Sequence, residues 1–528
     1  MIRYTNGKLF TADPGQPWAS ALVVTGDRLG YVGDERGARD YGPEATEVDL
    51  EGRTVLPGFV DGHVHLLMAG AAQLQAHLTD AGNLAEIQRR VRDWARDNPD
   101  APRVLGRGWL FDAVPEGRPT RDMLDTVVPD RPVYLDANDY HSVWVNSAAL
   151  AELGIDANTP DPVGGRVDRD PVTGEPSGHL VETAAQDLVW PFLEDVSTDA
   201  ERDRALAAAT RAYQCSGVTG VVDMALDEHG LAALERAGEP GLRIAAHWLI
   251  SRNRDPLEQV RRAAELAQRH HTGRLRVVGV KFIVDGVIDG CTASMNSPYV
   301  DGSNAEAIWE PEALAPAVAA ADAAGLQIAL HAIGDRSVRI ALDALEHATR
   351  VNGPRARRHR IEHLEYTDQA DVPRLAELGV TASMQPVHAD PAIRPNWAAM
   401  LGPERAGRGF AWPEFTAAGA RLVFGTDAPT APHPPLPNMF IANTRRSALS
   451  PELPALQPEF ALELGEAITH ASADSAWACR AEHEQGSLRA GLFADFVVLD
   501  RDPFAGPEEL LQASCVCTVL GGTTVFPG

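Results

Sequence analysis

Two histidines separated by one residue, His63 and His65 in GFVDGHVH, close a short apolar run. Side chains two apart on a strand point to the same face, so both imidazoles can meet one divalent metal. A bare pair of this kind also ends many strands for no chemical reason, and it gains meaning only from its company. Lys281 stands inside VVGVKFIVDG, where a buried unpaired ammonium would cost several kcal/mol or be forced neutral. A neutral primary amine can take up CO2, and the resulting carbamate offers two anionic oxygens able to bridge two metals. A guanidinium stays protonated and cannot. Lys8 and Lys281 are the only lysines among 528 residues, so a chain that otherwise uses arginine keeps an amine at this place. The competing reading is a structural lysine paired with Asp285 or Asp289. His331 in LQIALHAIGD, His363 in RIEHLEY and Asp427 in LVFGTDAP are each commonplace alone. Together with His63, His65 and Lys281 they make a set sufficient for two metals.

Such a set needs a scaffold that brings distant runs to one end. Eight short apolar runs are present: 54–65, 217–225, 243–251, 277–286, 326–335, 360–366, 380–386 and 422–429. Segments such as DPLEQVRRAAELAQRHH and SVRIALDALEHATR lie between runs and carry apolar residues at three- and four-residue spacing, the mark of helices. Alternating runs and helices predict a (β/α)8 TIM-like barrel with the ligand residues at the C-terminal mouth. The gap from 66 to about 200 is too long for a loop and predicts an inserted subdomain after the first barrel strand. Within it, RPVYLDANDYHSVWVNSAAL reads as strand-rich and DPVGGRVDRDPVTGEPSGH as a long loop. Residues 1–56 and 482–528 are strand-patterned with turn dipeptides, and are expected to form the two parts of one small β-sandwich. The barrel then occupies 57–481, with the insertion at about 70–200. If the insertion and the fourth loop fold over the mouth, Trp109, Asp112, His141 and Trp309 line the substrate pocket, and Asp285 either orients Lys281 or binds substrate.

A formal charge of −27, with 74 acids against 47 bases, argues against nucleic acid or an anionic membrane as partner. The first residues, MIRYTNGKLFTAD, have no basic segment leading into an apolar one, and no apolar run is long enough for a membrane span. A cytoplasmic enzyme with a small-molecule substrate is the expectation, with a homodimer as the default assembly. The five cysteines include no CxxC pair, which fits reduced thiols.

The chain resembles the amidohydrolase superfamily, and within it amidohydrolase family 3, the branch that contains N-substituted formamide deformylases. The resemblance is carried by GFVDGHVH (58–65), VKFIVDG with GCTASMNSPY (280–299), LHAIGDRSV (330–338), RIEHLEY (360–366), FGTDAP (424–429) and GSLRAGLFADFVVLDRDP (486–503), and it covers essentially the whole length. It implies that His63, His65 and Asp427 hold one metal, His331 and His363 another, and carbamylated Lys281 bridges them. Zinc is the first choice, one or two per chain. A water activated by the metals would attack an amide-like carbonyl, with Asp427 as general base and acid. The implied reaction is hydrolysis of a non-peptide C–N bond in an N-substituted amide or formamide. A mononuclear deaminase of the same superfamily is one alternative, although Gly334 stands where such enzymes carry a catalytic Glu. A degenerate barrel acting as a binding or regulatory protein is another.

Overall fold

The structure, a computed structural model, describes residues 1–138, 142–162 and 165–527. Its centre is an eight-stranded parallel sheet. In chain order the strands are Phe59–Val64, Val218–Leu226, Arg243–Leu249, Leu275–Ile283, Gln327–Ala332, Arg360–His363, Thr381–Met384 and Leu422–Phe424. Each pairs with the next in sequence. The sheet closes on itself where Val64 bridges Ala428 in parallel and where the Asp427 N–H donates to the His63 carbonyl at 2.8 Å. Every one of the eight predicted runs overlaps a barrel strand, with the second and fourth strands extending one and two residues beyond theirs. The helices are built as their periodicity implies. Pro256–Arg269 is capped by the Asp255 carboxylate on Leu257 N and Glu258 N, and it buries Val260, Ala263 and Leu266. Asp335–Asn352 buries Val338, Ala341, Leu342, Leu345 and Ala348, and each large apolar side chain so enclosed stabilises by roughly 1.5–3 kcal/mol.

The first run, 54–65, serves two sheets. Thr54–Pro57 pairs antiparallel with Phe496–Leu499 and parallel with Lys8–Phe10 in a terminal sheet, and the barrel strand begins at Phe59. Gly58 is the pivot: a Cβ there would lie 2.3 Å from Thr219 Oγ1, so only glycine lets the chain pass. A second terminal sheet holds Ile2–Thr5, Ala21–Thr25, Arg28–Gly33 and Thr46–Asp49. Tyr4, Leu22 and Leu29 from this sheet share one core with Val55, Phe496 and Val519 from the other. Both chain ends therefore build a single β-sandwich. Arg243, at the start of the third barrel strand, ties it to the barrel through a bidentate pair with Asp495 at 2.6 and 3.1 Å.

Gly70–Ala208 forms a separate compact unit around a six-stranded sheet and a core that includes Ile87, Val91, Trp109, Leu135 and Trp144. The segment expected as a long loop is instead a hairpin, Gly165–Arg169 against Pro176–Glu182. Asp170 makes the reversal by accepting from Val172 N and Thr173 N, a local side-chain bond that offers the backbone a turn. Among the described residues no helix is long and apolar enough to cross a membrane.

Candidate active site

The C-terminal ends of the barrel strands bring five of the predicted metal ligands together. His63 Nε2 and His65 Nε2 lie 3.2 and 3.1 Å from the same oxygen, Asp427 Oδ1. The His63 ring is 4.9 Å from the His363 ring, which is 4.3 Å from that of His331. One ligand atom each of His63, His363 and Asp427 falls within 4.8 Å of the others. The backbone is bent to achieve this: His363, Leu364 and Asp427 take φ of +77°, +51° and +58°, a region costly for residues other than glycine and found where a site over-determines it.

Electrostatics keep this set ready for a cation. Burial pulls the imidazole of His331 down to about 3 and those of His63 and His363 below their ordinary value, which favours the neutral form of all three, the form a metal takes. Burial works against charge on Asp427, yet the neighbouring His63 and His65 hold its carboxyl well below the usual range. Glu362 is buried with both carboxylate oxygens on the Arg360 guanidinium, at 2.5 and 3.0 Å. Its Oε2 also takes His63 Nδ1 at 2.7 Å, which orients His63 so that Nε2 faces Asp427. Lys281, on the fourth strand, is 2 % exposed. Among the described residues it has no carboxylate within ion-pair distance, so pairing with Asp285 or Asp289 is not seen. Burial lowers its ammonium to about 8 against the opposing pull of Glu362 and Asp427.

The donors fit a metal. His63 Nε2, His65 Nδ1, His363 Nδ1 and Asp427 Oδ1 are buried without hydrogen-bond partners, whereas buried polar atoms are ordinarily satisfied. Nitrogen and carboxylate oxygen are the donors zinc and its neighbours take.

The amidohydrolase family model matches residues 46–526. The chain belongs to the amidohydrolase family. It is accordingly a hydrolase acting on carbon–nitrogen bonds. Relatives of this amidohydrolase include the N-substituted formamide deformylase of Arthrobacter pascens, 28% identical over 98% of this chain and 96% of that one. Protein LONG AFTER FAR-RED 3 of Arabidopsis thaliana is 31% identical over 99% and 91%. A solved structure titled an uncharacterized metal-dependent hydrolase, from Pyrococcus furiosus, superposes with a TM-score of 0.78 at 27% identity, over 95% of this chain and 99% of that one.

The predicted pocket residues of the amidohydrolase fare differently from its ligand set. Trp109 is fully buried in the core of the insertion, donating Nε1–H to the Leu135 carbonyl. Asp112 is exposed on the short turn Phe111–Ala113 of the same unit. His141 lies outside the described residues. Trp309 packs edge-on against Phe282 at 5.5 Å. Phe282 follows Lys281 and by strand alternation faces the other way, so Trp309 backs the strand from outside. Asp285 is wholly buried and accepts three backbone N–H groups, from Ser294, Ile333 and Gly334; it ties the fourth and fifth loops together and touches neither Lys281 nor open space.

Reasoning from the sequence missed His388, which follows the seventh strand. Its Nδ1 is 3.0 Å from Glu365 Oε1 and its Nε2 is 3.6 Å from Asp427 Oδ2. It also missed Arg360 and Glu362, although charged residues two apart within an apolar strand were the available signal.

Proposed function

We propose that this amidohydrolase cleaves the C–N bond of a small N-substituted amide or formamide, with His63, His65, Asp427, His331 and His363 holding one or two divalent cations, zinc first among them, and Lys281 joining them as its carbamate. The carrying observation is the convergence on Asp427 of buried imidazole and carboxylate atoms that have no other partner. Bound there, the cations would supply Lewis acidity toward the carbonyl oxygen and acidify a water. Asp427 is charged and faces the same space, so it is placed to take the proton from the attacking water and return it to the leaving nitrogen. Arg360 and Glu362 hold His63 in one tautomer throughout. Lys281, with its ammonium weakened by burial and no carboxylate to hold it, is suited to react with CO2. The deformylase relative supports the formamide class, and its identity of 28% leaves acyl size as the variable to scan.

The deaminase alternative finds no acid where it needs one. A Cβ on Gly334 would stand 2.2 Å from the Ser294 carbonyl oxygen, so no side chain fits there. The test is turnover of N-formyl and N-acyl amines before chelation, after it, and after zinc is restored. Loss and recovery together are expected. Unchanged turnover in chelated, metal-free protein would sink the reading.

A further inference from the structure

The end of the barrel opposite the mouth holds a cavity of about 260 Å³ between strand starts and the sandwich. Arg243, Arg274 and Arg276 line it, near the starts of the third and fourth strands. Arg243 is neutralised by Asp495 and stacks on Phe493 at 3.7 Å, so it forms a wall. Arg276 donates to the Cys479 carbonyl, and among the described residues no carboxylate lies within ion-pair distance of it. Arg274 pairs through Nε with Glu239 at 3.3 Å, an acid that is 76% exposed, and donates Nη1 to the Pro240 carbonyl at 3.1 Å, which leaves Nη2 toward the cavity. Gly521 borders the space: a Cβ there would make ordinary contact with Arg243 Nη2 at 3.5 Å, Arg274 Nη2 at 3.9 Å and Asp27 Cβ at 3.9 Å, so a longer side chain at 521 would enter the cavity beside Arg274.

Three carboxylates, Asp27, Glu239 and Glu484, stand around the same cavity. They disfavour a plain anion, and the guanidinium groups disfavour a plain cation. A ligand bearing both charges satisfies both sets. The volume is below the roughly 300–1,000 Å³ of drug-sized sites and suits a molecule of amino-acid size. We propose that this cavity is a second small-molecule site, taking a zwitterion of the amino-acid type with its carboxylate on Arg274 and Arg276 and its ammonium among Asp27, Glu239 and Glu484. Guanidinium groups match a carboxylate with paired N–H donors. No residue of the mouth borders the cavity, so the site stands independently of the catalytic reading.

The test measures thermal melting and calorimetric binding of the full chain with L-alanine, with acetate, and with ethylammonium chloride, each on metal-loaded and chelated protein. L-Alanine is expected to raise the melting temperature where the two half-ligands do not, equally with and without metal. Arg276→Gln and Gly521→Asn should each weaken L-alanine binding at least about tenfold, the change expected when a charged contact of about 1.4 kcal/mol or more is lost. Asparagine tolerates the φ of +55° at Gly521 and so fills the void with little strain, which keeps the test open if Arg276→Gln folds poorly. Turnover of an amide substrate should be unchanged in both variants. An equal response to acetate or ethylammonium, loss of binding on chelation, no response to L-alanine, or undiminished binding in Gly521→Asn overturns the proposal.

Discussion

His359 and His363 lie four residues apart at opposite ends of the sixth barrel strand, both buried, and their surroundings differ in one respect. At the base, His359 Nδ1 accepts the Ile328 N–H at 3.1 Å and Nε2 donates to Asp322 Oδ1 at 3.0 Å. Asp322 is in turn filled by Arg357, at 2.8 and 2.7 Å, and by Asn352 at 2.8 Å. Every donor there has its acceptor, and the network is a strut. At the mouth, His363 Nδ1, His63 Nε2 and Asp427 Oδ1 have none. Buried polar atoms are ordinarily satisfied, and at the mouth these atoms converge on one another within 4.8 Å as ligands of one ion would, where the base is closed by its own side chains. Residue type and burial are the same; saturation of the hydrogen bonds separates support from function.

The largest effect expected from breaking this contrast is at Lys281. Lys281→Arg should reduce turnover to background and lower bound metal, because the guanidinium keeps the charge but cannot form a carbamate. Lys281→Ala should recover part of its activity with short carboxylic acids that occupy the vacated place. Full activity in Lys281→Arg would remove the bridging role. Asp427→Asn comes next. Loss of a general base commonly costs about a hundred- to ten-thousand-fold in rate, while the histidines should keep most of the metal. His331→Asn should do the reverse, with metal loss dominating. Paired measurements of kcat and metal content decide, and near-normal turnover in metal-replete Asp427→Asn would move the search for the base to His388.

The base should answer in stability instead. Asp322→Asn leaves Arg357 and His359 without their anion, and removing one partner of a buried pair costs about 3–5 kcal/mol. Turnover per folded molecule should stay near that of the parent. The pH dependence has a definite sign. Burial opposes charge on Asp322, but His359 and Arg357 hold its carboxyl well below the ordinary value. Its contribution is therefore complete above the unfolded carboxylate pKa of about 3.9 and is lost as pH falls toward the folded value. Denaturation midpoints of parent and Asp322→Asn should be well separated at pH 6 and converge below pH 4; a constant separation would contradict this origin.

Much of this architecture was legible in the sequence because parallel strands buried on both faces read as continuous apolar runs. The His63 and His65 pair was visible as two like residues two apart at the end of an apolar run, even though the pairing with the second strand shifts register between Asp61 and Val64. At the end of the sixth strand alternation fails. The positive φ at His363 turns the chain so that Glu362 and His363, adjacent in sequence, both approach His63, which no period of two predicts. His388 sits on the short turn Pro386–Ala389, and loop positions carry no periodic signal. Burial of Trp109 in the core of the insertion was not legible, because a tryptophan beside Gly108 in a strand looks the same from sequence whether it faces a pocket or a core. The hairpin at 165–182 was hidden by Asp170 and Gly174, residues that mark a loop and a tight turn alike.

Asp285 gives the smallest and sharpest test, since it lies at the mouth but is saturated like the base. Its Oδ2 takes Ser294 N and Gly334 N at 3.0 and 2.9 Å, and its Oδ1 takes Ile333 N at 3.0 Å. Burial raises its carboxyl to about 7 against the pull of these three donors. Asn cannot serve all three, because its amide nitrogen must face at least one N–H group, and one buried donor is then unpaired. Oδ1 also stands 3.7 Å from His331 Nε2, so a shift of the fifth loop should be felt first as a loosened metal ligand. Partners that orient a ligand typically alter metal affinity by about 10–100-fold. Asp285→Asn should therefore need roughly tenfold more zinc for half-maximal activity, with kcat at saturating zinc nearly unchanged. If the zinc requirement is unaltered while stability falls, Asp285 belongs with His359 and Asp322 as support, and saturation alone, whatever the end of the barrel, marks the residues that do no chemistry.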